Sequence, residues 1–309
     1  PDMSKYILTP KPADTPRING ARVFGVRPGS EFLYTIAATG IRPMTFSAEG
    51  LPKGLKLDPK TGRITGRVTA PGEYTVHLKA TNALGSSERS LKIVVGSEIA
   101  LTPPMGWNSW NCWARDVTQE QVLSSARAMV ESGLADHGWS YINIDDGWQG
   151  KRGGKDNAIQ PNAKFPDMKG LTRAIHDLGL RVGIYSTPWI GTYAAHIGSY
   201  SDNPDGVNEW IKKGRHNEHY RYQKEGGNYW KDRTEVWHLG PYSFVEADVK
   251  QWGEWGIDYL KYDWNPLDYY HVKEMHDALR TLDRDVVYSL SNSAPYGDAP
   301  QWMQYSNCW

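Results

Sequence analysis

"WGIDYLKYDWN", residues 255–265, sets two ionisable residues inside an apolar and aromatic run. Tyr259, Leu260 and Tyr262 read as a short buried strand. Lys261 and Asp263 stand at its end, where charged side chains are costly unless paired or used. Their two-residue spacing points both side chains to one side of a strand. On spacing alone, a structural ion pair and a functional site both remain open.

Working outward, helical and strand patterns alternate. "TQEQVLSSARAMVESGLADHG" (118–138) places Val122, Ala126, Met129, Val130 and Leu134 at helical spacing, with Gly133 and Gly138 near its end. "WSYINIDDGW" predicts a strand. "DMKGLTRAIHDLGL" (167–180) predicts a helix with Leu171, Ile175 and Leu178 on one face. "RVGIYSTPW" predicts a strand, "SFVEADVKQWGEWG" a helix, "HVKEMHDALRTL" a helix and "DVVYSLSNSAP" a strand. Short apolar strands between helices predict a parallel sheet buried on both faces. A doubly wound sheet and a (β/α)8 TIM barrel both satisfy that pattern. No GxGxxG follows the first strand, which weakens the dinucleotide-binding version.

The barrel makes a second prediction, that functional residues gather at the C-terminal ends of strands. Trp110 closes "MGWNSW", Asp145 and Asp146 end "YINIDD", Tyr185 ends "VGIY", Lys261 and Asp263 end "YLKYD", and Ser291 ends "VVYSLS". Polar residues at the same end of five successive elements favour the barrel.

Residues 1–98 have a different rhythm. "EFLYTIAATG", "RITGRVTA", "EYTVHLKATN" and "RSLKIVVG" alternate with period two, separated by turn signals such as "DPKTG" and "NALGSS". This predicts an all-β sandwich over 1–98, followed by the α/β domain over 99–309. Between the strand at 181–187 and the helix near 244–255 lies a long polar and aromatic segment, 191–243. Its Trp210, Tyr220, Tyr222, Trp230 and Trp237 favour an ordered flap on the functional face. Its His216, His219 and Arg221 read as solvated loop charge.

Composition narrows the function. The formal net charge is +0, which gives no basic face for nucleic acid. The 14 Trp and 18 Tyr, against 5 Phe, suit surfaces that grip sugars, although a Trp-rich core explains them equally well. Cys112 and Cys308 form neither a disulfide framework nor a zinc motif; buried free thiols are expected. No apolar run approaches the roughly 20 residues of a membrane helix, and the polar start shows no signal peptide. No metal site and no cofactor are expected, and oligomeric state is not legible.

Carboxylates at the ends of strands in one cleft suggest glycoside chemistry. One carboxyl group attacks or activates water while another protonates the leaving oxygen. A nearby ammonium keeps the attacking carboxylate ionised, which is a physical reason for Lys-x-Asp.

At these residues the sequence resembles a known family. "LTPPMGWNSW", "YINIDDGWQ", "IQPNAKFPDMKGLTRAIHDLGLRVGIY" and "WGIDYLKYD" look like glycoside hydrolase family 27, the α-galactosidases and α-N-acetylgalactosaminidases. The resemblance covers about 101–190 and 244–309. It implies a retaining, metal-free hydrolase on a (β/α)8 barrel followed by a β-sandwich. By motif, Asp263 matches the nucleophile. Asp145 and Asp146 match the pair that grips the sugar's C4 and C6 hydroxyls. Lys261 matches the lysine that binds ring hydroxyls, Trp110 the aromatic wall and Tyr185 a pocket-lining residue. Residues 51–87 resemble the immunoglobulin-like, cadherin-like module fused to many secreted bacterial enzymes, which implies a spacer or docking role and a secreted or periplasmic location.

Two departures accompany the resemblance. Where α-galactosidases carry a glutamate that reads the C2 hydroxyl, this sequence has Ser291, with Ala294 three residues on. Small residues there resemble the N-acetylgalactosaminidase branch, and a pocket for β-L-arabinopyranose also fits. The family's acid/base aspartate is expected beyond Trp309, since Asp283 and Asp298 sit in a different motif context. The chain is therefore expected to be a fragment whose barrel lacks its last strands. A non-catalytic carbohydrate-binding protein and an adhesion protein working through its sandwich are the competing readings.

Overall fold

The computed structural model describes residues 11–208, 237–291 and 294–309. Trp210, His216, His219, Tyr220, Arg221, Tyr222 and Trp230 lie outside the described residues. The chain forms two compact units. The first runs to Pro103 and includes Met129–Trp139; the second comprises Pro104–Ala128 and Ser140–Trp309.

The first unit is a β-sandwich. Val23–Val26, Gly85–Val95, Gly72–Asn82 and Thr45–Glu49 form one sheet in that order, and Glu31–Thr35, Arg63–Arg67 and Leu55–Leu57 the other. The period-two pattern is realised directly. Val76, Leu78 and Ala80 on one strand and Leu91, Ile93 and Val95 on its partner turn inward into a core shared with Phe32, Phe46 and Ile64. The "LPKGLKLDPKTGRITG" stretch needs its glycines because Gly54 and Gly66 face each other at φ +101° and +134°. A Cβ on either would meet the other strand's backbone carbonyl.

The second unit is built on a five-stranded parallel sheet in chain order: β1 (Gly106–Asn108), β2 (Tyr141–Asn143), β3 (Arg181–Ser186), β4 (Tyr259–Tyr262) and β5 (Val287–Leu290). The order never reverses, which separates it from a doubly wound sheet. Among the described residues no closed barrel forms. What they form is an open sheet of five strands, with Cys308 bridged in parallel to Ser289 on the outer side of β5.

The connecting helices fall where periodicity predicts them: α1 (Gln119–Glu131), α2 (Met168–Asp177), α3 (Val245–Trp255) and α4 (Tyr269–Arg280). On α1, Val122, Ala126 and Met129 are buried. Val130 and Leu134 are exposed, against the expectation of one continuous face: Val130 is inside the helix but turned off the Val122–Ala126–Met129 stripe, and Leu134 lies past the helix end at Glu131 and the turn at Gly133. Asp167 caps α2 by accepting a hydrogen bond from Gly170 N at 2.8 Å. Trp148, Trp252, Trp264 and Trp302 are fully buried, so part of the tryptophan count is core. Cys112 and Cys308 are both free thiols, but neither is fully buried: Cys112 is exposed, because the short Trp110–Trp113 turn buries none of its residues, and Cys308 is half-buried.

Candidate active site

Strand register assembles the site. Tyr185 on β3 pairs with Lys261 on β4, which pairs with Ser289 on β5. Parallel strands in register bring their C-terminal ends to one edge, where β2 leads into Asp145 and Asp146 and β4 into Asp263. Asp263 N donates to Ser186 O at 2.9 Å and Ser291 N to Tyr262 O at 3.1 Å, continuing the ladder one residue past each strand.

Lys261 is the hub of the charges. Its Nζ lies 2.9 Å from Asp145 Oδ2 and 3.8 Å from Asp263 Oδ2. It also sits 5.1 Å from the centre of the Tyr185 ring. Burial alone lowers an ammonium's pKa, but Asp145 and Asp263 outweigh it and hold Lys261 above the ordinary lysine value.

Asp145 is the most engaged carboxylate. It accepts from Asn108 Nδ2 at 2.8 Å and from Lys261 through Oδ2, and from Asp146 N at 2.8 Å through Oδ1; its own N–H donates to Ser109 Oγ. Asp146 is clamped from the loop after β3. Thr192 Oγ1 donates to Oδ1 at 2.7 Å and Ala194 N to Oδ2 at 2.6 Å. Burial pushes the Asp146 carboxyl up to about 7; these two hydrogen bonds oppose the shift, and the Asp145 and Asp263 charges add to it. Asp263 is pushed up by burial and drawn back by Lys261 and the Ser291 hydroxyl. The Tyr185 hydroxyl also lowers the Asp263 pKa by proximity, but it is buried without a hydrogen-bond partner of standard geometry.

Six of the seven residues singled out by sequence converge at this edge: Asp145, Asp146, Lys261, Asp263, Tyr185 and Ser291. Trp110 is half-buried next to them. Its N–H donates to Asn108 Oδ1 at 2.8 Å, so it is tied to Asp145 through Asn108. Sequence reasoning passed over Asn108 and Ser109, although both lie within "MGWNSW". It also missed Thr192 and Ala194, which carry no local signal. Beside them Trp189 and Trp237 stack at 5.4 Å with Tyr193 packed edge-on, and Trp237 Nε1 donates to Thr192 O at 3.1 Å. Among the described residues no group of three or more His, Cys, Asp or Glu is placed to hold a metal. No helix among them is long and apolar enough to cross a membrane.

Residues 15–96 match the family model described as "Putative Ig domain", and residues 102–214 the model described as "Alpha galactosidase A". Alpha-galactosidase A of Cellvibrio japonicus is 33% identical over 213 residues, covering 66% of this chain and 41% of that protein. A crystal structure of a "putative alpha-galactosidase" from Bacteroides fragilis superposes with a TM-score of 0.79 at 36% identity, over 97% of this chain and 57% of the other. An α-galactosidase of Saccharomyces cerevisiae, solved with raffinose, superposes with a TM-score of 0.51 at 27% identity, over 68% of this chain and 39% of the other. The resemblance to glycoside hydrolase family 27, behind an Ig-like module, thus holds in sequence and in fold. The chain spans about half the length of the curated relatives it matches.

Proposed function

We propose that a chain so similar to α-galactosidases supplies the sugar-gripping and nucleophilic side of a retaining, exo-acting glycoside hydrolase, which releases terminal α-linked galactose from oligo- or polysaccharides. The observation that carries this reading is the Lys261 ammonium set between Asp145 and Asp263 at the C-terminal edge of the sheet. Asp145 spends its oxygens on Asn108, Lys261 and Asp146 N, and Asp146 on Thr192 and Ala194. Of the two carboxylates paired with Lys261, Asp263 keeps the looser contact. It is the carboxylate with a lone pair to give to an anomeric carbon, and Lys261 keeps it ionised.

In this reading Asp145 and Asp146 accept hydrogen bonds from the axial C4 hydroxyl and the C6 hydroxyl, and a site built to satisfy them rejects the epimer. Lys261 donates to ring hydroxyls, Tyr185 offers an unpartnered hydroxyl, and Trp110 supplies an aromatic face. We assign no acid/base among the described residues. The Ig-like module fits a secreted or periplasmic enzyme.

Asp263→Asn in the complete protein is expected to lower kcat by about four orders of magnitude while sugar binding survives. Azide added to Asp263→Gly is expected to restore cleavage and give the β-galactosyl azide, because the anion attacks the face that Asp263 vacates. Near-normal turnover in Asp263→Asn would refute Asp263 as the nucleophile, whereas a complete parent protein that binds galactose without turnover would be a non-catalytic carbohydrate-binding protein. The small Ser291 beside the nucleophile favours one second reading, a sugar with a different C2 side. A panel of p-nitrophenyl α-galactoside, α-N-acetylgalactosaminide and β-L-arabinopyranoside decides among these sugars.

A further inference from the structure

A cavity of about 550 Å3 opens beside the carboxylate cluster, within the second unit. Its walls come from the connections after β1 (Arg115 and Asp116), β2 (Gln149 and Lys151, on the Gln149–Gly153 strand) and β3 (His196), and from Lys164. It adjoins the Asp146 clamp, since His196 N donates at 3.0 Å to Thr192 Oγ1, which in turn holds Asp146. The volume falls in the range of ligand pockets and exceeds what one bound ion needs.

Its charge is opposite to that of the neighbouring site. Three cations, Arg115, Lys151 and Lys164, face one carboxylate, Asp116, in a chain whose formal net charge is +0. Lys164 Nζ donates to a neutral carbonyl, Arg115 O, and among the described residues no carboxylate stands within ion-pair distance of Lys164 or Lys151. Burial holds Lys164 below the ordinary lysine pKa, a sign that its charge is imperfectly compensated. Gln149 is 2% exposed; its Oε1 accepts from Gly147 N, and its Nε2 has no partner. A buried amide donor without an acceptor costs free energy unless a ligand supplies one.

We propose that this cavity is a second saccharide subsite, selective for a sugar that carries an oxyanion, a carboxylate or a sulfate ester. Lys151 and Lys164 meet the oxyanion, and the Gln149 amide meets a ring or hydroxyl oxygen after a small rotation of its side chain. The same ligand is repelled from the neighbouring site by Asp145, Asp146 and Asp263, so the two sites sort acidic from neutral sugars. The proposal stands apart from the hydrolytic reading, since it requires binding and no turnover.

The test is calorimetric titration of the complete protein at low ionic strength with galacturonate, galactose and sodium sulfate. Galacturonate is expected to bind saturably, undisplaced by galactose, and about tenfold more weakly in Lys151→Gln. Lys151 is exposed, so this variant and Lys151→Glu keep the test valid if Lys164→Gln fails to fold. Absence of saturable galacturonate binding, or binding that Lys151→Gln and Lys151→Glu leave unchanged, overturns the proposal. Sulfate binding as tightly as galacturonate overturns its saccharide part. Failure of galactose to bind counts against the hydrolytic reading alone.

Discussion

Lys261 Nζ and Asp145 Oδ2 lie 2.9 Å apart, although 116 residues separate them in the chain. The same ammonium stands 3.8 Å from Asp263, so one cation offsets two partly desolvated carboxylates. Replacing it with an apolar group of similar length exposes what it does. Lys261→Met is expected to cut activity about a hundredfold or more. Burial already raises the Asp263 pKa and Lys261 draws it down. Without the lysine the carboxylate protonates at higher pH, so the acidic limb of the pH–rate profile should move up by about one unit. A limb that stays in place would separate Lys261 from the ionisation of Asp263.

Asp146 stores instability. Its folded pKa of about 7 lies above the ~3.9 of an unfolded aspartate. Between those values the folded state holds a proton that the unfolded state has lost. Stability therefore falls as pH rises through that window, and the full penalty, up to about 4 kcal/mol, stands above pH 7. Asp146→Asn cannot ionise. Its melting temperature relative to the parent should be higher at pH 8 than at pH 4.5, with sugar binding lost. Equal differences at the two pH values would refute the assignment.

Arg152 and Asp248 form a buried ion pair at 2.7 Å that ties the Gln149–Gly153 strand to α3. Asp248 also accepts from Ile159 N, and Arg152 donates to Gly198 O. Removing one partner leaves a buried charge alone. Arg152→Met should cost about 3–5 kcal/mol in chemical denaturation. The double variant Arg152→Met with Asp248→Leu should recover part of that loss, since burial raises the Asp248 pKa in spite of Arg152 and desolvation offsets much of the pairing.

In the Ig-like unit, Gly66→Ala forces a Cβ into the Gly54 carbonyl at φ +134°. A loss of about 2–3 kcal/mol is expected by denaturation. Gly85→Ala is the control: φ is +150°, but nothing lies within 4 Å, so about 1 kcal/mol should suffice. Similar losses at both positions would show that φ, and not the close approach, sets the cost.

Periodicity located the helices and strands because a segment's burial pattern is imposed residue by residue. Val76, Leu78 and Ala80 repeat every second residue, and Leu171 and Ile175 every helical turn. The Lys-x-Asp spacing likewise showed that Lys261 and Asp263 share a side, since strand geometry alone dictates it. The sequence thus determined the elements, the two kinds of unit and the residue types gathered at the ends of strands. Tertiary structure decided which of these residues meet. Parallel register set Tyr185 beside Lys261, and a loop distant in sequence carried Thr192 and Ala194 onto Asp146. It also decided the sign of each pKa shift, because desolvation and charge proximity depend on distances between segments that no local pattern encodes.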